Sequence, residues 1–376
     1  MSLSRILLFS SGLKHNMYTS MLHRLYRRGV SKFFNSIPRN KIVHGVPEGL
    51  QFDELNELCL DYIKHPLKDV SHYHLSGWKK SNTFRLLLET EKGVKWSLIY
   101  KNALYREDTI PALNSFPINP GPPEFTIYSN ANGEIIKYLP TIYRCCEIQT
   151  GSHYMYLMQD LNANFRPAGG KRDTLCITAE LSKIYDIFGD YRFDEDSLIL
   201  YNRELSTRLQ AYIIDNLERY ASATDNKTVS AVCTNWHNIS SIYEEKYNHS
   251  GLSSIIHGDS NLANILVHRK YGDRIKFIDW EWAGVGLPHQ DLASLLKRAK
   301  PNVEEDALEI FSKNNRSISI GEHKRMYEIC QLERGLIDSA FFANQNANSP
   351  GRTKIDIVGY IEDSASRVMR AYNKLV

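Results

Sequence analysis

The sequence predicts an α+β fold of two lobes, a sheet-rich front half followed by a helix-rich back half. Three observations carry that expectation. Short apolar segments with turn residues between them dominate residues 84–161. Apolar residues recur three and four apart over long segments after residue 175. A hairpin pattern, residues 265–278, is embedded in that helical half, which mixes the two kinds of element in one back lobe.

The first forty residues stand apart. No acidic residue precedes Glu48, whereas eight lysines and arginines do, so a chain of net charge +3 has a body of about −5. Met17, Met21, Leu22 and Leu25 fall at helical spacings among arginines. That pattern suits a basic amphipathic helix in peripheral contact with an anionic membrane. The same acid-free, Arg- and Ser-containing composition suits an organellar transit peptide or a loosely docked tail, and the three readings stay open. The mildly acidic body argues against a nucleic-acid partner. No apolar run is long enough to cross a bilayer. The six cysteines are scattered, without zinc spacing or a disulfide framework. They read as reduced thiols, and the expected location is cytoplasmic. The expected division is an extension over 1–40, a front lobe over 41–161 and a helical lobe over 162–376.

In chain order, Leu55, Leu58, Cys59, Tyr62 and Ile63 form one apolar face, which predicts a helix over 52–64. Residues 84–89 and 95–101 read as strands joined by a turn at 91–93. Residues 111–123 are proline-rich and read as loop. A helix is predicted over 124–138, weakened by Gly133, then a strand over 154–161. Residues 175–188 and 198–220 carry the best helical patterns. Apolar runs at 265–267 and 275–278 flank the polar turn 269–273, and helical patterns then continue to the end.

The chemistry concentrates around that hairpin. The sequence reads Ile256-His257-Gly258-Asp259-Ser260-Asn261-Leu262-Ala263-Asn264, then after the first strand and its partner, Ile278-Asp279-Trp280-Glu281. Phosphoryl transfer needs cations held close to a charged phosphate and a carboxylate beside the attacking hydroxyl. Asp259, on a loop, is placed for the second task. Asn264 and Asp279 offer the hard oxygens that suit Mg2+, and the hairpin between them can bring them together. Taken singly these are common turn residues; their joint spacing is what points to chemistry.

The two runs resemble the catalytic and metal loops of the aminoglycoside phosphotransferase and choline kinase superfamily, relatives of the protein kinases, with H-G-D-x-x-x-x-N and, after a hairpin, I-D-[WF]-[ED]. The resemblance covers about residues 70–300. It implies a protein-kinase-like fold with a small antiparallel-sheet N-lobe that binds the nucleotide and a mainly helical C-lobe. It implies ATP, or another nucleoside triphosphate, with Mg2+ as cofactor, and a small-molecule hydroxyl (amino sugar, sugar or amino alcohol) as acceptor. Asp259 would be the catalytic base with His257 bracing its loop. Asn264, Asp279 and Glu281 would face the metal, and Asp291 would tie the loop to the next helix. Lys101 would meet the nucleotide phosphates and pair with Glu124, with Ile99 on the same strand face against the adenine. Gln159 and Leu161 would form the hinge, where Gln159 replaces the usual acid. The phosphate loop near 75–84 has one glycine, Gly77, a departure from the glycine-rich pattern; Ser81, Asn82 and backbone amides are its candidate donors.

Three functional readings follow: a small-molecule kinase, an atypical protein kinase, and a non-catalytic kinase-like binding module. The full set of Lys101, Asp259, Asn264 and Asp279 disfavours the third. The short distance from Asp279 to the next helix leaves no room for a peptide-docking segment and disfavours the second. Specificity in the superfamily lies before the catalytic loop and in the tail. Asp194, Glu195, Asp196, Glu244 and Glu245 fall there among aromatics. Such a cleft would suit amino sugars or choline-like cations, although a charge run is ordinarily a solvated face. Oligomeric state is not legible in the sequence.

Overall fold

A computed structural model describes residues 42–75, 81–104, 116–117, 122–149, 152–189, 198–314, 318–348 and 354–376. The front half is built on one antiparallel sheet. Its strands are β1 (Val43–His44), β2 (Leu67–Leu75), β3 (Ser81–Thr90), β4 (Lys95–Leu104), β5 (Ile142–Gln149) and β6 (His153–Gln159), in the spatial order β1-β2-β3-β4-β6-β5. Period-two alternation divides its side chains between two faces. Leu86, Leu88, Leu98, Tyr100, Met155 and Leu157 point into a front core. Helix α1 (Phe52–Leu58), continued by a wider turn over Cys59–Ile63, covers that core with Leu55 and Cys59. The opposite parity turns Ile99, Lys101, Ala103, Tyr154, Tyr156 and Met158 toward the back half.

The helix expected over 124–138 is broken. Helix α2 (Pro122–Asn130) ends, Asn132 is extended at φ −143°, and a separate 3-10 turn runs over Gly133–Tyr138. Gly133 sits at φ +53°, a conformation that costs glycine little and interrupts a helix. The strand expected to end at residue 161 stops at Gln159, and Leu161 belongs to a 3-10 turn over Leu161–Ala163. Strands β2 and β5 had no clear apolar alternation in the sequence; β5 has several exposed residues at the sheet edge.

The back half is mainly helical, with α3 (Gly170–Gly189), α4 (Arg203–Thr224), α5 (Lys227–Thr234), α6 (Trp236–Glu244), α7 (Pro288–Leu296), α8 (Pro301–Asn314), α9 (Ile320–Asn348) and α10 (Lys354–Leu375). Helix α9 is central, packed against α10, α4 and α7. A Cβ on Gly335 would meet Val368 at 2.8 Å, so that glycine lets α9 and α10 approach closely. The helix expected to start at residue 198 starts later. Ile199 and Leu200 form strand β8, parallel to β12 (Gly284–Gly286), and α4 begins after Asn202, whose side chain accepts from the Leu205 N–H at 2.9 Å.

Two small sheets carry the hairpin region. Strand β10 (Ile265–His268) pairs with β11 (Ile275–Phe277) in the register Ile265↔Phe277, with β7 (Phe165–Pro167) on its other side. Strand β9 (Ser254–Ile256) pairs with β12. Among the described residues no helix is long and apolar enough to cross a membrane. All six cysteines are unpaired.

Candidate active site

The loop from β9 to β10 presents Asp259, and three constraints shape it. Gly258 stands at φ +75°, and a Cβ there would lie 2.0 Å from the Trp282 carbonyl oxygen, so no other residue fits. Asp291, buried in α7, accepts from the His257 N–H at 2.7 Å, the Gly258 N–H at 2.9 Å and the Tyr185 hydroxyl at 3.1 Å. Its backbone carbonyl accepts from Ser260 Oγ at 2.7 Å. Burial pushes the Asp291 carboxyl up, while His257 and those donors oppose that. The third constraint is His257, whose Nε2 lies 3.0 Å from the Ile278 carbonyl and whose Nδ1 lies 3.3 Å from the Asp259 N–H. This geometry suits the tautomer with the proton on Nε2. His257 is buried against Trp280 and does not reach the cavity wall, so it sits where it can brace the loop but not touch a substrate.

Both oxygens of Asp259 are held. Oδ2 accepts from Asn261 at 2.9 Å and Asn264 at 3.0 Å, and Oδ1 from Arg334 Nη2 at 2.9 Å. Burial pushes this carboxyl up, but Arg334 and Lys297 more than offset it, so it stays below the usual carboxylate range. Asn264 uses its amide N–H groups on Asp259, which leaves its oxygen as the atom for a metal.

Asp279 follows β11 at φ +67°, a left-handed conformation that aspartate tolerates better than most residues. The Ile278 N–H donates to the Asn264 carbonyl at 3.0 Å, which ties the two loops together. From the front sheet, Lys101 reaches Asp279 Oδ1 at 2.8 Å and Glu124 Oε2 at 2.6 Å. Lys101 is buried, so its ammonium depends on these two carboxylates to compensate for lost hydration.

These residues share one cavity of about 750 Å³. Ile99, Gln159 and Leu161 line it on the hinge side; Lys101, Glu124, Asp259, Asn264, Asp279 and Glu281 line its middle. The Gln159 N–H donates to the Thr141 carbonyl at 2.8 Å. Of the acids expected to form a cationic-acceptor cleft, the two described lie elsewhere: Glu244 accepts from Ser206 at 2.7 Å and Glu245 pairs with Arg325 at 2.7 Å, neither on the cavity. Asp194, Glu195 and Asp196 lie outside the described residues, as do residues 76–80 and the Ser81 side chain. The Ser81 backbone pairs with Ala103 in the sheet.

Sequence reasoning missed the far wall of the cavity. Arg334 on α9 donates to Asp259 and to the Gly258 carbonyl at 3.2 Å, and pairs with Asp338 at 3.0 Å. Arg367 on α10 reaches Asp338 at 3.4 Å. Burial pushes the Asp338 carboxyl up, but Arg334, Lys297 and Arg367 bring it down to about 2. The local sign was the i, i+4 spacing of Arg334 and Asp338 on one helix.

Among the described residues no three His, Cys, Asp or Glu side chains gather as a metal cage. The donors present are the carboxylates of Asp279 and Glu281 and the amide of Asn264. Such a sparse set of hard oxygens fits Mg2+, which keeps waters and phosphate oxygens in its shell, and does not fit zinc.

Residues 234–325, which hold Asp259, Asn264, Asp279 and Asp291, match the family described as the phosphotransferase enzyme family. No curated protein matches the sequence. Solved structures share the fold at low identity. A choline kinase from Cryptosporidium parvum is 10% identical over 86% of this chain and 96% of its own, with a TM-score of 0.54. A spectinomycin phosphotransferase, solved with ADP and spectinomycin, is 13% identical over 86% and 99%, with a TM-score of 0.53. A choline kinase from Streptococcus pneumoniae is 12% identical over 86% and 98%, with a TM-score of 0.51.

Proposed function

From a phosphotransferase-family segment set in a kinase-like fold, we propose that this chain transfers the γ-phosphoryl group of Mg-ATP to a hydroxyl of a small molecule. The supporting observation is the cavity itself. Lys101 comes from the front sheet and Asp259, Asn264 and Asp279 from the hairpin-bearing stretch of the back half, and all four line the same cavity. In this reading the part before residue 162 holds the nucleotide and the part after it supplies the acceptor site.

Each residue has a task that its contacts support. Ile99, Met158 and Leu161 give the adenine an apolar slot. Lys101, held by Glu124, meets the phosphates. Asn264 and Asp279, with Glu281 near, would hold the metal, whose bound form supplies charge neutralisation on the phosphate oxygens. Asp259 orients the acceptor hydroxyl. As the acceptor oxygen bonds to the γ-phosphorus, the bond to the β,γ-bridging oxygen breaks, and the hydroxyl proton passes to the Asp259 carboxylate. A strongly ionised carboxylate suits a loose transfer in which that proton leaves late. The turn after Asp279 leads through β12 directly into α7, which leaves no segment for docking a peptide.

The test is a nucleotide-consumption screen of the purified chain with Mg-ATP against sugars, amino sugars, amino alcohols and a generic protein. Phosphorylated small molecule is the expected product. Phosphate on protein alone would overturn the acceptor class, and absence of Mg-ATP binding in a calorimetric titration would overturn the reaction.

A further inference from the structure

Beyond Asp259, the cavity wall is lined by cations. Lys297 and Arg298 follow α7, Arg334 lies on α9 and Arg367 on α10, against the carboxylates of Asp338 and Asp363. Those two carboxylates already have partners. Asp338 is bridged by Arg334 and Arg367, and Asp363 lies 3.8 Å from Arg367. Asp259 is engaged by Arg334. Lys297 and Arg298 have no ion pair among the described residues. The Nε of Arg367 is buried without a hydrogen-bond partner, on a side chain only 7% exposed. Burial pushes the Lys297 ammonium down; Asp338 and Asp259 nearby hold it up, while Arg334 and Arg367 add to the depression. Phe341, Phe342 and Tyr360 complete this wall, with Phe342 and Tyr360 stacked at 5.2 Å and Arg298 over the Tyr360 ring at 5.4 Å.

A cationic acceptor would meet Lys297 and Arg298 here and find no carboxylate without a partner. An anionic one would give Lys297 and Arg298 the ion pair they lack among the described residues, beside the Arg367 guanidinium that already holds Asp338 and Asp363. On the phosphotransferase reading, we propose that the acceptor is a hydroxyl compound bearing an anionic group, a carboxylate or a phosphate monoester. Lys297 and Arg367 bind that group, Arg298 guards the rim, and Phe341, Phe342 and Tyr360 face the carbon skeleton. The bonding to Arg and Lys is the same for both anions, and their geometry separates them only by assay.

The experiment uses four six-carbon probes of similar size: glucose, glucosamine, glucuronate and glucose 6-phosphate. Thermal stabilisation of the full chain is read with and without saturating Mg-ADP, for wild type, Lys297→Gln and Arg298→Gln. An anionic probe is expected to raise the melting temperature with the nucleotide site filled, and Lys297→Gln to weaken its apparent affinity about tenfold or more. The better of glucuronate and glucose 6-phosphate identifies the anion. Stabilisation by glucosamine above both anions overturns the proposal, as does absence of stabilisation by either anion. Anion affinity equal in wild type and Lys297→Gln overturns the assigned site. If an anionic probe binds through Lys297 while Mg-ADP does not bind at all, the anion site stands and the phosphotransferase reading falls, so the two failures are distinguishable.

Discussion

The two sides of the cavity are built differently. On the catalytic side, Asp259, Asn264 and Asp279 lie within one hairpin-bearing stretch, and the backbone of that stretch positions them: the Ile278–Asn264 hydrogen bond, the left-handed Asp279, the glycine at 258. On the proposed acceptor side, Lys297, Arg334, Arg367 and Tyr360 come from the α7 end, α9 and α10, and only helix packing brings them together. The first side uses local geometry, which few residue types satisfy. The second uses tertiary placement, which many residue types satisfy, except where Arg334 reaches across to Asp259.

The largest effects should come from breaking the catalytic side. Asp259→Ala and Asp279→Ala are each expected to lower kcat by about 10³-fold or more, through loss of the orienting carboxylate or of the metal. Circular dichroism should show both variants folded. Near-wild-type turnover in either would remove its assigned role.

Next comes the link from the front sheet. Lys101→Gln is expected to cost about 10²-fold in kcat/KM, with Mg-ATP affinity reduced. It also leaves Glu124, 1% exposed, without its ammonium, so some loss of melting temperature should accompany it. The double variant Lys101→Gln with Glu124→Gln should recover stability but not activity. Recovery of activity would show the pair to be structural.

Arg334 joins the two sides, and its test reads pH. Because Asp259 is held below the usual carboxylate range, it stays ionised down to unusually acid pH, and the acid limb of the pH–kcat profile should lie below that range. Removing the neighbouring cation lets burial dominate. Arg334→Gln is therefore expected to move the limb upward and to lower kcat about tenfold at neutral pH. A variant that loses activity with an unmoved limb would leave Arg334 a packing role only.

The same contrast explains how much was legible beforehand. Lys101 is legible only through the family resemblance, with strand alternation putting Ile99 on the same face, whereas the hairpin makes the spacing of Asp259, Asn264 and Asp279 meaningful. The two-lobed α+β order followed from the change of apolar period. Strand β8 was hidden because two residues pairing with a strand more than eighty positions away leave no periodic trace. Arg334, Lys297 and Arg367 were hidden because their helices show a side chain's face but not what another helix sets opposite it. The acidic residues drew attention for their charge alone, and charge alone does not place a side chain in a cavity.

Glu245 makes that last point testable, and with the smallest expected effect. Its pair with Arg325 is largely in solvent, with side chains 45% and 35% exposed, and lies off the cavity. Exposed pairs of this kind contribute about 0–1 kcal/mol, and screening by salt reduces that further. Glu245→Gln should therefore leave KM for any acceptor within experimental error, at low and at moderate ionic strength alike, while Lys297→Gln does not. A rise in acceptor KM in Glu245→Gln would mean that the acceptor contacts the acids before the catalytic loop rather than the cations on α9, α10 and the end of α7. The division of labour between the two sides of the cavity would then have to be redrawn around a cationic substrate.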